Sequence, residues 1–199
     1  MMDIAGEINA IRREVRGRVV VLQREYPAEI EDVWGACTDP ERIGRWFLPV
    51  SGDLRLGGRY QLEGNAGGEI LKCERPRLLR VSWIFGDAAA TFVEVRLSSI
   101  DSGTKFVLEH SGDVDEKFWE QFGPGAVGVG WDLTVFGLAL HLAGVDRPHE
   151  GWESSPEAGE LMTASAAAWR AAHEASGEDP AQAKAAAERT TAFYVPKAQ

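Results

Sequence analysis

A chain of 199 residues with 44% hydrophobic content can bury a full core, and its length suits one domain with an appendage. The net charge of −10 is spread along the chain, with only a short basic run from Arg12 to Arg18. That disfavours nucleic acid and anionic membrane surfaces as partners, because both call for clustered cations. Two cysteines, Cys37 and Cys73, cannot build a disulfide framework and have no second thiol or imidazole at metal-ligand spacing. No apolar stretch free of charge or glycine breaks reaches the ~20 residues of a membrane span, and the start of the chain lacks the apolar core of a signal peptide, so the expectation is a soluble, cytoplasmic protein.

In residues 3–16, Ile4, Ile8, Ile11 and Val15 are spaced by four, three and four. This suits an amphipathic helix, while Arg16-Gly17 is equally compatible with a hairpin turn. Val19 to Tyr26 is β-branched and aromatic, a strand that Pro27 ends. A helix follows from Glu29 with Ile30, Val33, Trp34 and Cys37 as its apolar stripe. Asp39-Pro40 reads as N-cap and first residue of a second, short helix carrying Ile43, Trp46 and Phe47. From Gly52 to His110 the pattern is a meander of antiparallel strands, punctuated at Gly57-Gly58, residues 65–68, Gly86-Asp87 and residues 101–103. Alternation puts Tyr60, Leu62, Leu79, Val81, Trp83, Phe85, Val93, Val95, Leu97, Phe106, Leu108 and His110 on one apolar face. Arg80, Ser82, Glu94, Arg96, Lys105 and Glu109 fall on the other, wet face. Cys37 and Cys73 read as buried, inert thiols.

Residues 124–143 form a long helix with Pro124 in its first turn and Gly144 as its C-terminal cap. It is apolar nearly all round, so it must be covered on every side. Gly123, Gly125, Gly128 and Gly130 mark its start and close backbone packing, and Asp132 is expected to point sideways to a capping or surface partner. Residues 145–156 are loop-like. Two alanine-rich helical stretches follow, Glu157 to Ser176 and Pro180 to Thr191, punctuated by Trp152, Trp169, Phe193 and Tyr194. This hairpin is expected to pack on the long helix or across a dimer partner.

Five motifs in order carry a family resemblance. They are the VW, T-D-P-E, W-F run from Val33 to Phe47, the D-x-R-x-G-G run from Asp53, P-R-L-L-R-V-S-W from Pro76, G-T-x-F-x-L-x-H from Gly103, and G-W at Gly130. They resemble the helix-grip superfamily of START-type ligand-binding domains (SRPBCC), and within it the homologues of the activator of the ninety-kilodalton heat-shock chaperone's ATPase. The resemblance implies an α+β helix-grip fold, a curved antiparallel sheet wrapped around one long helix, here with an extra helical C-terminal extension. The expected organisation is an N-terminal segment 1–17, a helix-grip domain 18–144 and an extension 145–199. The extension is a departure from the usual family domain.

The implied interior lists Trp46, Tyr60, Leu62, Trp83, Phe85, Val93, Val95, Phe106, Leu108, His110, Trp131 and Val135. Aromatic walls with few polar groups describe a cavity between sheet and long helix for a small hydrophobic or aromatic ligand. His110 is the one ionisable group placed there, and with hydroxyls such as Tyr60 it is the candidate for general acid–base work in the cyclase or aromatase kind of reaction that the superfamily resemblance implies. No nucleophile elbow, phosphate loop or dinucleotide fingerprint is present, and His141, His149 and His173 make no zinc site, so no cofactor or metal is expected. A third reading is a protein-interaction module like the chaperone activators. A homodimer would also cover exposed faces of the long helix.

Overall fold

The computed structural model describes residues 3–145 and 151–195. Pro148 and His149, read above as loop, lie outside the described residues. In chain order the elements are α1 (Ile4–Asn9), β1 (Ile11–Arg16), β2 (Val19–Tyr26), α2 (Ile30–Thr38), α3 (Pro40–Trp46), β3 (Val50–Gly52), β4 (Arg59–Leu62), β5 (Gly67–Glu74), β6 (Leu78–Trp83), β7 (Thr91–Ile100), β8 (Gly103–Gly112), α4 (Glu116–Phe122), α5 (Gly125–Leu142), a 3-10 turn (Trp152–Ser154), α6 (Pro156–Ala175) and α7 (Pro180–Tyr194). The architecture is α+β. Its eight strands form one antiparallel sheet in the order β1-β2-β8-β7-β6-β5-β4-β3. The chain divides into two compact units, one of residues 23–113 and 137–147, the other of residues 1–22, 114–136 and 148–199.

The first unit holds the meander. Of its two short helices, α3 starts where the cap predicts: Asp39 accepts from the backbone N of Arg42 at 3.0 Å, with Pro40 in the first turn. Register then aligns alternate residues into rows, Leu79–Val95–Leu108 and Ile70–Val81–Val93–His110, so the apolar positions of four strands share a face. A register shift between Ile70 and Lys72 marks a bulge in β5. Leu71 there and Cys73 beyond are exposed, so Cys73 is not the buried thiol expected. The other face is less wet than expected. Glu94 is buried, paired with Arg80 at 3.3 Å and with Arg96, and Arg80 also covers the Phe92 ring. The last turn of α5 closes with Gly144 at φ 69°, its N–H and that of Val145 satisfying the carbonyls of His141 and Leu140.

In the second unit, residues 3–16 are not one helix. The chain turns from α1 into β1, and Gly17 (φ 59°) closes the alternative hairpin to β2. The helical spacing misleads because a strand position between Ile11 and Val15 is filled by Arg13, whose side chain is only 6% exposed. α4 is a further element, in a stretch to which the sequence pattern assigned nothing. The extension folds back onto α5. Trp169 of α6 lies directly over Gly128, where a Cβ would come within 2.3 Å of the indole, and Thr190 of α7 sits over Gly125. Tyr194 donates to the carbonyl of Ala126 at 2.6 Å, and Phe136 stacks on Trp152. By length and composition α5 is apolar enough to cross a membrane, with a mean hydropathy of 1.4, yet half of it is buried inside the fold.

Asp132 is a buried hub here, where a capping or surface partner was expected. It is 4% exposed, and its Oδ2 accepts from Arg13 Nε at 2.9 Å, Ser165 Oγ at 2.5 Å and Trp169 Nε1 at 3.2 Å. Arg13 also donates to the carbonyls of Ile8 and Ile11. One carboxylate thus ties α1, β1, α5 and α6 together. Burial raises its pKa above the usual carboxylate range, against the opposing pull of Arg13, Ser165 and Trp169.

Candidate functional site

The apolar face of the meander brings together most of the residues singled out in the sequence. Tyr60 and Leu62 come from β4, Trp83 from β6, Val93 and Val95 from β7, and Phe106, Leu108 and His110 from β8. Cross-strand register aligns them: Val93 faces His110, Val95 faces Leu108, and Leu97 faces Phe106. Gly68 lies between Tyr60 and Trp83 in the register. A Cβ on Gly68 would fall 2.0 Å from the carbonyl oxygen of Ser82, so only glycine fits, and the Tyr60 hydroxyl crosses over to donate to that same oxygen at 2.8 Å. Burial pushes the Tyr60 hydroxyl pKa up, so it stays protonated.

His110 is anchored on this face by Thr91, with Nε2 and Oγ1 2.8 Å apart. The Thr91 hydroxyl donates its single proton to the Trp83 carbonyl at 3.0 Å. It must therefore accept from His110, which fixes the Nε2–H tautomer and leaves Nδ1 as the ring's acceptor. Trp83 and the imidazole meet in a T-shaped arrangement, with ring centroids 6.3 Å apart. Burial lowers the His110 pKa to about 4, so the ring is neutral across the physiological range. Thr91 was missed in the sequence, although carrying the β7 alternation one step upstream from Val93 reaches it.

The remaining predicted site residues come from other elements. Trp46 ends α3, half-buried, its Nε1 donating to the Ala36 carbonyl at 3.0 Å and its ring stacked on Phe47. Phe85 is a correction: it is 59% exposed, because β6 stops at Trp83 and the chain turns at Gly86 (φ 57°). Trp131 and Val135 are buried on α5 in the other unit. Among the described residues no cluster of His, Cys, Asp or Glu could hold a metal ion. Chemically, the sheet face offers aromatic and aliphatic surface, a neutral imidazole and hydroxyls already engaged with backbone carbonyls.

Residues 27–143 match the profile of a family described as Activator of Hsp90 ATPase homolog 1-like protein. The chain belongs to that family. Its crystallographic relative CalU16 from Micromonospora echinospora is 35% identical over 83% of this chain and 96% of its own, with a TM-score of 0.64. The solution structure of CalU16 gives a TM-score of 0.68, covering 84% and 94% of the two chains. Residues 1–143 could not supply that share, so the similarity to CalU16 reaches into the helical extension. PFC0360w, an HSP90 activator from Plasmodium falciparum, is 23% identical over 64% of this chain and 97% of its own, with a TM-score of 0.56. DynU16, a putative protein in the dynemicin biosynthetic locus, is 23% identical over 68% of this chain and 51% of its own, with a TM-score of 0.58. At those identities the likeness is one of fold. No curated protein matches the chain.

Proposed function

We propose that this protein binds a small, uncharged hydrophobic or aromatic molecule against the apolar face of β4 to β8, as a cytoplasmic binding protein. The observation that carries the reading is the composition of that face: Tyr60, Trp83, Phe106 and aliphatic neighbours around a histidine held neutral by burial. Such a surface gains from apolar contact and repels net charge, since a buried ion without a partner is expensive. The family fold supports the same reading. A histidine with a pKa of about 4 is a weak base at neutral pH, which argues for binding over proton abstraction by His110.

The test is native mass spectrometry of the protein purified from its own cells, with denaturing release of anything retained, followed by titration with a fluorescent hydrophobic probe. The expected result is an uncharged small molecule at one per chain, and probe binding weakened about tenfold or more by Trp83→Ala, which removes a large aromatic contact. An empty protein that also ignores the probe would overturn the proposal. The intact mass reports whether the chain is a homodimer.

A further inference from the structure

His141 lies in the last turn of α5, where it meets the second short helix through a polar contact. Arg42 of α3 points its Nε at His141 Nε2, 3.3 Å away. The same guanidinium pairs with the Asp32 carboxylate at 2.9 Å and donates to the Asp32 carbonyl at 3.1 Å. A guanidinium has donors only, so His141 Nε2 must present its lone pair and the imidazole is neutral, with its proton on Nδ1. Near it, a bare helix backbone meets a carbonyl: a Cβ on Gly137 would lie 2.9 Å from the Trp46 oxygen.

We propose that His141 and Arg42 form an acid-released latch between α3 and the last turn of α5. Protonation of His141 converts the acceptor into a donor and sets a cation against the guanidinium it had been receiving from. The charged groups facing the ring are Arg42 and Arg45 from α3 and Asp32 from α2. Burial lowers the imidazole pKa first, Arg42 and Arg45 lower it further, and Asp32 opposes them. Because the folded pKa lies below the unfolded value, the latch contributes its full stability above about pH 6.5 and loses it as the pH falls through the folded value. Acid therefore loosens the hold of α5 on α3, which carries Trp46 and stays tied to α2 through Asp32 and Ala36. The latch needs no ligand and stands apart from the binding proposal.

The test is hydrogen exchange of the intact, ligand-free protein, read as protection factors for the α3 amides of Ile43 and Phe47, which donate to Asp39 and Ile43. From about pH 7.5 to about pH 5.5 the wild-type protection of α3 should fall, because the imidazole takes up its proton more readily once α3 has opened than in the closed fold. His141→Gln keeps an acceptor for Arg42 without a titrating proton and should abolish the fall. Arg45→Gln removes one opposing charge and should shrink it. Other histidines titrate in all three proteins, so their effect cancels. Nitrogen NMR of His141 should show Nε2 unprotonated at neutral pH. Protection that does not change with pH, an equal fall in His141→Gln, or a proton on Nε2 would each overturn the latch.

Discussion

Replacing Gly128 by alanine separates two physical accounts of α5 by the sign of the effect. In an exposed helix the change should stabilise by up to about 1 kcal/mol, because alanine is the better helix former. Here the new methyl would sit 2.3 to 2.5 Å from three atoms of the Trp169 indole, a side chain with 0% exposure. The ring cannot swing away freely, since its Nε1 is bonded to Asp132 at 3.2 Å. Overpacking costs roughly 1 to 3 kcal/mol, and loss of a hydrogen bond to a charged group roughly 1.5 to 3. Against the propensity gain, the net is a destabilisation on the order of 3 kcal/mol, or about 6 to 12 °C in Tm for a chain of this size. Urea unfolding followed by tryptophan fluorescence reads it. In a Trp169→Ala background the methyl meets no indole, and the same substitution should become neutral or stabilising. A Gly128→Ala protein as stable as wild type would refute the close packing of α6 on α5.

The remaining predictions concern charge and reactivity. Arg13→Met leaves the Asp132 carboxylate buried without its cation and should cost about 3 to 5 kcal/mol, while Arg13→Met with Asp132→Leu should recover much of that in denaturant unfolding. Additive losses would contradict the coupling. His110 is neutral in the fold with a pKa of about 4. Its stability contribution is present above about pH 6.5 and declines toward pH 4, so acidification should cost wild type on the order of 3 kcal/mol more than His110→Gln; equal losses would mean the ring is solvated. With a thiol reagent, exposed Cys73 should react in the native protein. Cys37, whose thiol is pushed up to about 12 by burial against the opposing pull of Arg42, should wait for unfolding. Simultaneous labelling would place Cys37 at the surface.

Much of the fold was legible because local signals and burial agree. Asp39-Pro40 named a helix start, and Gly144 named a helix end. Alternation through Leu79, Val81 and Trp83, and through Phe106, Leu108 and His110, put the right residues on one face. The glycines from Gly123 to Gly130 announced close packing without saying against what. Two failures came where a polar residue occupies an interior position. Arg13 broke the strand pattern of β1 because its partner, Asp132, lies 119 residues away. Glu94 looked solvated because alternation carries no information about the two arginines closing over it. Phe85 continued a period past the last residue of its strand, where the turn at Gly86 takes over. Side-chain identity gives the face of a strand, but neither its last residue nor its partner across the chain.

The glycine notches of α5 have a consequence for synthesis. Trp169 leaves the ribosome roughly forty residues after Gly128, a delay of about 2 to 8 s at ordinary translation speeds. During that interval the chain displays a helix as apolar as a membrane span, with bare backbone where indole and hydroxyl groups will later sit. Its cover is encoded last. Nascent chains stalled after Gly144 are therefore expected to bind hydrophobic dyes or holdase chaperones, and chains extended through α7 to release them.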